Sequence, residues 1–189
     1  MYSIQLCDPR VLVSLDQGIG TITLNDVENH NAFDEKSTEA FGQAAKWLSI
    51  QPNVRVVLIK SAATTFCVGG NVGAFAEAGD GSDQLLVEMT AHFHVGVSAL
   101  MRMEAPVIAV VNGACGGAGA SLACMADITI ASESSKLRFA YTALAITPDG
   151  GATFTLPKIV GWRKAYELMV LNPVIDAAEA VSYTHLTLP

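Results

Sequence analysis

Two glycine-rich turns contain the residues of this sequence whose types and spacing could form a chemical site. They are residues 66–71 (FCVGGN) and 112–119 (NGACGGAG), and each follows an apolar run and leads toward a helix. Small residues let a ligand approach the backbone N–H groups, and a helix N-terminus adds partial positive charge. Two such N–H groups facing one point would stabilise a developing oxyanion.

Other interpretations of these turns are possible. Glycine content alone also fits tight strand-to-helix connections with close packing and no ligand. A dinucleotide-binding motif is excluded because neither turn contains G-x-G-x-x-G, and no acidic residue follows at the expected distance. Residues 119–123 (GASLA) lack the last glycine of a serine-hydrolase elbow. An oxyanion site and simple packing therefore both remain open.

Alternating strands and helices would position the two turns. Val11–Leu15 and Ile19–Leu24 predict a hairpin, and apolar runs at 54–59, 107–111 and 128–131 predict buried strands. Helical spacing predicts helices over 33–50, 82–103 and 117–125, with a Gly/Ala loop over 69–81. This order indicates a single-domain α/β fold with crossover connections.

Composition limits the class of protein. With 189 residues, 51% of them hydrophobic, the chain can bury the core of one domain, and its net charge of -7 argues against nucleic-acid binding. The four cysteines form no C-x-x-C pair, which predicts a reducing compartment and hence the cytoplasm. Cys67 and Cys115 are interpreted as small side chains that only fill space in the two turns. No signal peptide is predicted, and the uncharged stretch 106–126 contains too many polar and glycine residues for a membrane span.

Several segments, taken together in their order and spacing, resemble a known family. They are 22–25 (ITLN), 31–33 (NAF), 54–58 (VRVVL), 66–70 (FCVGG), 106–113 (PVIAVVNG), 148–151 (PDGG) and 156–161 (LPKIVG). Over roughly residues 10–180 the sequence resembles the enoyl-CoA hydratase/isomerase (crotonase) family. The resemblance implies an α/β crotonase spiral of ββα units that assembles as a homotrimer or a dimer of trimers. It also implies an acyl-CoA thioester as substrate, with no metal or redox cofactor.

The resemblance implies roles for residues of both turns. The oxyanion hole would consist of the backbone N–H groups of Gly70 and Ala118, which would hold the thioester carbonyl as it gains enolate character. The segment from Val68 to Val72, in the first turn, would line the path of the CoA and bind substrate through Val68, Gly69, Asn71 and Val72.

The expected reaction depends on which acids and bases are present. Hydratases of the family use two glutamates, and the corresponding positions here are Ser121 and Tyr141, which would instead shape the substrate pocket. Asp149 takes the position at which related isomerases place a single acidic base. One carboxylate suffices to remove a proton at one carbon and return it at another, so the sequence favours an isomerase. Asp149 could also be a turn residue that bonds its own backbone.

His94 leaves a second reaction open. Its distance from Pro106 resembles that of the base histidine in aroyl-CoA dehalogenases, in which the counterpart of Asp149 is the nucleophile. Tyr141 stands where a dehalogenase would have tryptophan, and a lone helical histidine is often only a pocket wall. Hydration, by the name of the family, and a catalytically silent acyl-CoA-binding subunit are the remaining alternatives.

The last nine residues, 181–189 (VSYTHLTLP), differ from the family pattern. They match one reading frame of a transposon-derived sequencing adapter. We therefore expect an incomplete crotonase core over 1–180, a non-native tail over 181–189, and the family's C-terminal helices to be missing.

Overall fold

Antiparallel strands open the chain, and strand–helix crossovers follow them. The computed structural model describes residues 2–184. Its strands are β1 (Tyr2–Ser3), β2 (Val11–Asp16), β3 (Ile19–Leu24), β4 (Val56–Ser61), β5 (Val107–Val111), β6 (Ala114–Gly116), β7 (Ile128–Ala131), β8 (Lys136–Arg138) and β9 (Ile175–Asp176). Its α-helices are α1 (Glu35–Ser49), α2 (Val72–Ala78), α3 (Ser82–Arg102), α4 (Ala118–Met125), α5 (Ala152–Val160), α6 (Trp162–Leu171) and α7 (Ala177–Thr184). Short 3-10 turns cover Gly79–Gly81 and Tyr141–Leu144.

The larger sheet places the two glycine-rich turns side by side. Its strand order is β1-β2-β3-β4-β5-β7, antiparallel up to β3 and parallel from β3 onward. Strands β4 and β5 are neighbours, and each is followed by one of the turns. Because parallel strands end at the same edge, both turns lie at the carboxyl edge of the sheet, where open α/β sheets bind their ligands. A smaller sheet, β6-β8-β9, lies beyond this edge.

Helix α1 packs against β2 and β3 of the larger sheet, and α3 packs against α1. Phe41 is fully buried, and Gly42 of α1 lies so close to α3 that an added Cβ would come within 2.8 Å of the carbonyl oxygen of His92. Helix α1 begins with a capping box, in which the side chain of Asp34 accepts from the N–H of Ser37. This packing fixes the position of α3, whose other side faces the candidate site.

The predicted α/β fold is confirmed, as are the strands at Val107–Val111 and Ile128–Ala131. The predicted loop over 69–81 is wrong in part, because α2 occupies seven of its residues. The side chain of Asn71 caps this helix by accepting from the N–H of Ala74, and Gly79 ends it with a positive φ of 53°. None of the helices within residues 2–184 has the length and apolar composition needed to cross a membrane.

The predicted tail lies only partly within the described structure. Residues 181–184 form the last turn of α7. Residues 185–189 of the predicted tail lie outside the described residues, so its non-native origin stays a prediction.

Candidate active site

The first glycine-rich turn leaves the N–H group of Gly70 without a partner. Phe33 bridges this turn as in a parallel sheet: its N–H donates to Gly69 at 2.7 Å, and its carbonyl accepts from Asn71 at 2.7 Å. Gly70 lies between these two contacts, so its own N–H points away from Phe33. Within residues 2–184 this N–H group makes no hydrogen bond.

The second turn presents the N–H group of Ala118 in the same way. Ala118 is the first residue of α4, where N–H groups have no acceptor within the helix. A Cβ added to Gly69 would lie 3.5 Å from the nitrogen of Ala118 and 3.3 Å from the Cα of Gly117, so the two turns touch backbone to backbone. Among the described residues the N–H of Ala118 also lacks an acceptor. The structure therefore brings together the two predicted oxyanion-hole groups.

The side chain of Cys67 links the two turns through hydrogen bonds. Its sulfur accepts a hydrogen bond from the N–H of Gly69 at 3.4 Å and another from the N–H of Gly119. Cys67 is fully buried, and this burial raises the pKa of its thiol to about 12. The thiol is therefore a neutral acceptor that fixes the spacing of the turns.

Asn31 anchors the first turn from the opposite side. It adopts a left-handed backbone conformation, and its side-chain nitrogen donates to the carbonyl oxygen of Phe66 at 2.9 Å and to the hydroxyl of Ser61 at 2.7 Å. Its side-chain oxygen accepts from the N–H of Asp26 at 2.8 Å. Asn31 belongs to the motif NAF, but nothing in the sequence indicated that its side chain supports the site.

A largely apolar cavity of about 270 Å³, here called the inner cavity, opens in front of the two N–H groups. Its apolar wall includes Phe33, Val68, Val72, Phe75, Leu86, Met89, Phe93, Phe139, Leu144 and Ile146. Arg138, Tyr141 and Asp149 are the ionisable residues of the described chain that line it. Phe139 and Leu144 lie in a region in which no strand or helix was predicted, so their part in the wall was not predicted either.

Asp149 lies at the boundary between the inner cavity and an outer groove, which is lined by His94, Ile146, Thr147 and Pro148 among others. The hydroxyl of Tyr141 donates to Asp149 Oδ1 at 2.6 Å. Burial raises the pKa of Asp149 above its usual value, although the hydrogen bond from Tyr141 and the nearby His94 imidazole work in the opposite direction. Burial and the neighbouring carboxylate raise the pKa of Tyr141, which keeps its hydroxyl protonated.

Ser121 completes the surroundings of Asp149 from behind. It is fully buried, and its Oγ lies 2.7 Å from the hydroxyl of Tyr141 and 3.0 Å from the main-chain oxygen of Asp149. It is not among the residues that line the inner cavity. Any effect of Ser121 on a substrate must therefore be transmitted through Tyr141 or Asp149.

His94 lines the outer groove rather than the inner cavity. Its Nε2 accepts a hydrogen bond from the N–H of Gly150 at 3.1 Å. We assign the neutral ring the tautomer with its proton on Nδ1, because Nε2 acts as an acceptor. His94 thus holds the loop that carries Asp149.

The structure brings most of the predicted site residues to one place. Val68, Gly69 and Val72 line the inner cavity together with Gly70 and Ala118, the two residues predicted to form the oxyanion hole. Asn71, predicted to bind substrate, does not line it, because its side chain caps α2 instead. Its predicted contact with a substrate stays a prediction.

Comparison with known proteins identifies what the chain is similar to. Residues 14–183 match the family model described as Enoyl-CoA hydratase/isomerase. The chain is 32% identical over 93% of its length to a Mycobacterium tuberculosis protein assigned as the enoyl-CoA hydratase EchA14, and it covers 67% of that protein. It is 31% identical over 90% of its length to the 1,2-epoxyphenylacetyl-CoA isomerase of Escherichia coli, of which it covers 65%. The chain thus spans about two thirds of these curated relatives.

A solved structure supports the same relationship. It is a Thermobifida fusca protein, assigned as an enoyl-CoA hydratase, in complex with acetoacetyl-CoA. The TM-score is 0.83 at 27% sequence identity, with 95% of this chain and 72% of that chain covered. The relatives therefore include proteins named as a hydratase and as an isomerase, and the solved structure shares the fold of this chain.

Proposed function

The chain belongs to the enoyl-CoA hydratase/isomerase family, and from this membership we propose that it isomerises an enoyl-CoA thioester through an enolate. One observation carries the proposal. The unpartnered N–H groups of Gly70 and Ala118 border the same cavity as Asp149, which is the only carboxylate lining that cavity within residues 2–184.

The proposed mechanism uses only groups of the protein. The thioester carbonyl oxygen accepts from the N–H groups of Gly70 and Ala118, which stabilise the negative charge that develops on this oxygen. Asp149 removes a proton from one carbon, and the electron pair of that C–H bond moves into the enolate. The same carboxyl group then returns the proton to a second carbon. Burial raises the pKa of Asp149 toward working pH, which improves a carboxylate as a base.

Hydration is less well supported than isomerisation. Adding water across a double bond calls for groups that activate the water and handle the α-proton. The positions at which the family's hydratases carry their two glutamates are held by Ser121 and Tyr141, and both hydroxyls already bond to Asp149 or to each other. Neither hydroxyl is a base at neutral pH.

A dehalogenase or hydrolase is the second candidate, because His94 and Asp149 both border the outer groove. In that reaction Asp149 would attack the ring carbon that carries the halogen and displace halide. His94 would then assist a water in hydrolysing the resulting aryl ester, which restores the carboxylate. His94 would first have to release the N–H of Gly150, since its Nε2 lone pair is already used. This requirement favours the isomerase.

The wall of the inner cavity limits the acyl group. A dry engineered cavity of about 150 Å³ binds benzene, so 270 Å³ accommodates a phenyl ring with a short linker or an acyl chain of medium length. Phe33 and Phe93 lie 5.4 Å apart at ring centroids, which gives an apolar and aromatic surface on one side. We expect apolar acyl groups of this size to be turned over most efficiently.

Replacing Asp149 tests the proposal. Purified wild type and Asp149→Asn would be assayed against enoyl-, epoxyphenylacetyl- and haloaroyl-CoA thioesters, with the exposed Asp80→Asn as control. We expect isomerisation by the wild type and a loss in kcat of about 100- to 10,000-fold in Asp149→Asn, with the Kd for acyl-CoA changed little. Unchanged kcat in Asp149→Asn would contradict the mechanism. Halide release by the wild type would favour the second candidate, and binding without any turnover would favour a silent acyl-CoA-binding subunit.

The assembly of the protein is a separate proposal. The family resemblance predicts a homotrimer or a dimer of trimers, and light scattering on the purified protein would measure its mass directly. A monomeric mass at assay concentration would contradict this prediction.

A further inference from the structure

A closed ring of hydrogen bonds holds both the main chain and the side chain of Asp149. Tyr141 donates to Oδ1 of Asp149 at 2.6 Å, Ser121 Oγ lies 2.7 Å from the hydroxyl of Tyr141, and the same Oγ lies 3.0 Å from the main-chain oxygen of Asp149. Because the one proton of the Tyr141 hydroxyl is donated to Asp149, Ser121 is the donor in its own contacts. Its proton is shared between the phenol oxygen and the main-chain carbonyl of Asp149, with the carbonyl oxygen of Gly117 as a longer third acceptor at 3.4 Å.

Little freedom remains in this ring. Ser121 has no exposed surface, and Tyr141 is 4% exposed. Ser121 lies on α4, directly after the turn that carries Ala118, and a Cβ added to Gly150 would come within 2.7 Å of the Cβ of Ser121. The ring therefore ties the loop that carries Asp149 to the helix whose first N–H group faces the inner cavity.

The two carboxylate oxygens of Asp149 are not equivalent. Oδ1 accepts from Tyr141, whereas Oδ2 has no hydrogen-bond partner within residues 2–184. Within the described residues Oδ2 is not a fully buried atom, so it is partly exposed to solvent. Asp149 borders both the inner cavity and the outer groove, and Oδ2 is its carboxylate oxygen that remains available to a ligand.

We propose that Ser121 and Tyr141 are positioning residues that reserve Asp149 Oδ1, so that Oδ2 alone removes and returns the proton. This inference rests on the proposed isomerase function. When the substrate C–H bond breaks, the proton binds Oδ2 and the electron pair enters the enolate. Oδ1 is then the carbonyl oxygen of a neutral acid and still accepts from Tyr141, so neither proton transfer requires the ring to rearrange. The proton leaves Oδ2 when a bond forms to the second carbon.

The proposal has a consequence for the pH dependence of Asp149. The titratable groups around it are Tyr141 from the 3-10 turn and His94 from α3, while Cys67 acts on Tyr141 from behind and Arg138 lines the same cavity. Removing the Tyr141 hydroxyl takes a hydrogen-bond donor away from the ionised carboxylate of Asp149. The effect of burial, which raises the pKa, is then no longer offset by this hydrogen bond. The pKa of Asp149 should therefore rise further.

The test compares Tyr141→Phe with Tyr166→Phe, which removes the hydroxyl of an exposed tyrosine on α6. The pKa of Asp149 would be measured by ¹³C NMR of the labelled carboxyl carbon, with Asp149→Asn used for assignment. We expect Tyr141→Phe to raise this pKa by about one to two units, the size expected for a hydrogen bond to a charged group, and Tyr166→Phe to leave it unchanged. An unchanged pKa in a folded Tyr141→Phe would overturn the proposal.

Two further measurements extend the test to the reaction. In Tyr141→Phe the acidic limb of the pH profile of kcat should move to higher pH together with the pKa of Asp149. With a substrate deuterated at the carbon that loses its proton, less deuterium should be transferred to the second carbon, because Oδ1 becomes a second site for the proton. Ser121→Ala, compared with the exposed Ser134→Ala, should produce a smaller shift of the same sign and serves if Tyr141→Phe does not fold. Equal deuterium retention in wild type, Tyr141→Phe and Ser121→Ala would overturn the single-oxygen transfer. The NMR titration requires no turnover, so a failure of the isomerase assignment would be recognised separately.

Discussion

Gly119 packs directly on the main chain of Cys67, so that a Cβ at position 119 would lie 2.4 Å from the carbonyl oxygen of Cys67. Real Cβ atoms do not approach a carbonyl so closely, and the backbone of one turn would have to move. Gly119→Ala should therefore lower the free energy of unfolding by about 2 kcal/mol or more and reduce kcat by displacing Ala118. Urea denaturation would measure the first effect.

Gly81→Ala is the control for this substitution, because no heavy atom lies within 4 Å of a Cβ at position 81 and its φ of -90° suits any residue. It should change the free energy of unfolding by less than about 1 kcal/mol. Equal stability of Gly119→Ala and wild type would show that the contact between the two turns yields easily.

The sulfur of Cys67 provides a second test of the same contact. Cys67→Ala leaves the N–H groups of Gly69 and Gly119 without their acceptor, and such buried groups are costly to leave unpaired. We expect kcat to fall about tenfold, the equivalent of about 1.4 kcal/mol, with little change in KM. Cys67→Ser should recover part of the loss because its hydroxyl can accept. Cys124→Ala removes a thiol that makes no hydrogen bond to either turn within residues 2–184 and should leave kcat unchanged.

Sequence patterns predicted the strands of the sheet far better than the residues whose hydrogen bonds hold the candidate site in place. The strands after which the turns follow were found because continuous apolar runs such as Val107–Val111 have few other interpretations. The part played by Cys67 was missed, because a buried cysteine has the same pattern whether or not its sulfur accepts hydrogen bonds. Asn31 was missed for a related reason: its acceptors lie 30 to 35 residues away in the sequence.

The region after β7 was the hardest to predict. The 3-10 turn Tyr141–Leu144 is bounded by Ala140 and Ala145, both with positive φ, which alanine seldom adopts and which no propensity would suggest. This conformation directs Tyr141 into the inner cavity and against Asp149. The predicted neighbourhood of these two residues came from the family resemblance, and their hydrogen bond could not have been derived from spacing alone.

Met89 offers a test of the acyl-group assignment. It is 4% exposed on α3 and lines the inner cavity. Met89→Phe should reduce the space available, so kcat/KM should fall about tenfold or more for medium-chain or aryl thioesters and much less for a four-carbon thioester. Met101→Phe, at an exposed position of the same helix, should affect both substrates equally. A uniform loss in Met89→Phe would mean that the acyl group binds elsewhere.

Substitutions of His94 would show whether this residue positions the loop of Asp149 or acts as a catalytic base. If its function is to hold the N–H of Gly150, His94→Ala should reduce kcat by about tenfold, the size expected for the loss of one positioning hydrogen bond. His94→Gln retains an acceptor and should recover much of the activity. A catalytic base would lose about 100- to 10,000-fold in both variants. His92→Ala, two residues earlier on the same helix, is the control.

Arg10 should make the stability of the fold sensitive to acid. Its guanidinium bonds Asp8 at 2.6 Å and Asp34 at 2.7 Å, and it lies 3.3 Å from Asp26. The hydrogen bond from Arg10 lowers the pKa of Asp8. At Asp34 burial acts in the opposite direction, but the bonds from Arg10 and Ser37 still lower the pKa. This stabilisation is complete above the unfolded value of 3.8 and is lost as pH falls through the lower folded values.

Arg10→Met should therefore destabilise the protein at pH 7 by about 1 to 3 kcal/mol, a range reduced from that of fully buried ion pairs because the guanidinium is partly exposed. The difference from wild type should begin to shrink below about pH 4, because the carboxylates protonate first in the unfolded chain and only at lower pH beside Arg10 in the folded protein. Urea denaturation at pH 7 and pH 3 would measure this. Lys136→Met, which removes an exposed pair with Asp176, should have little effect at either pH. A difference that stays constant down to pH 3 would mean that Arg10 stabilises the fold through packing, not charge.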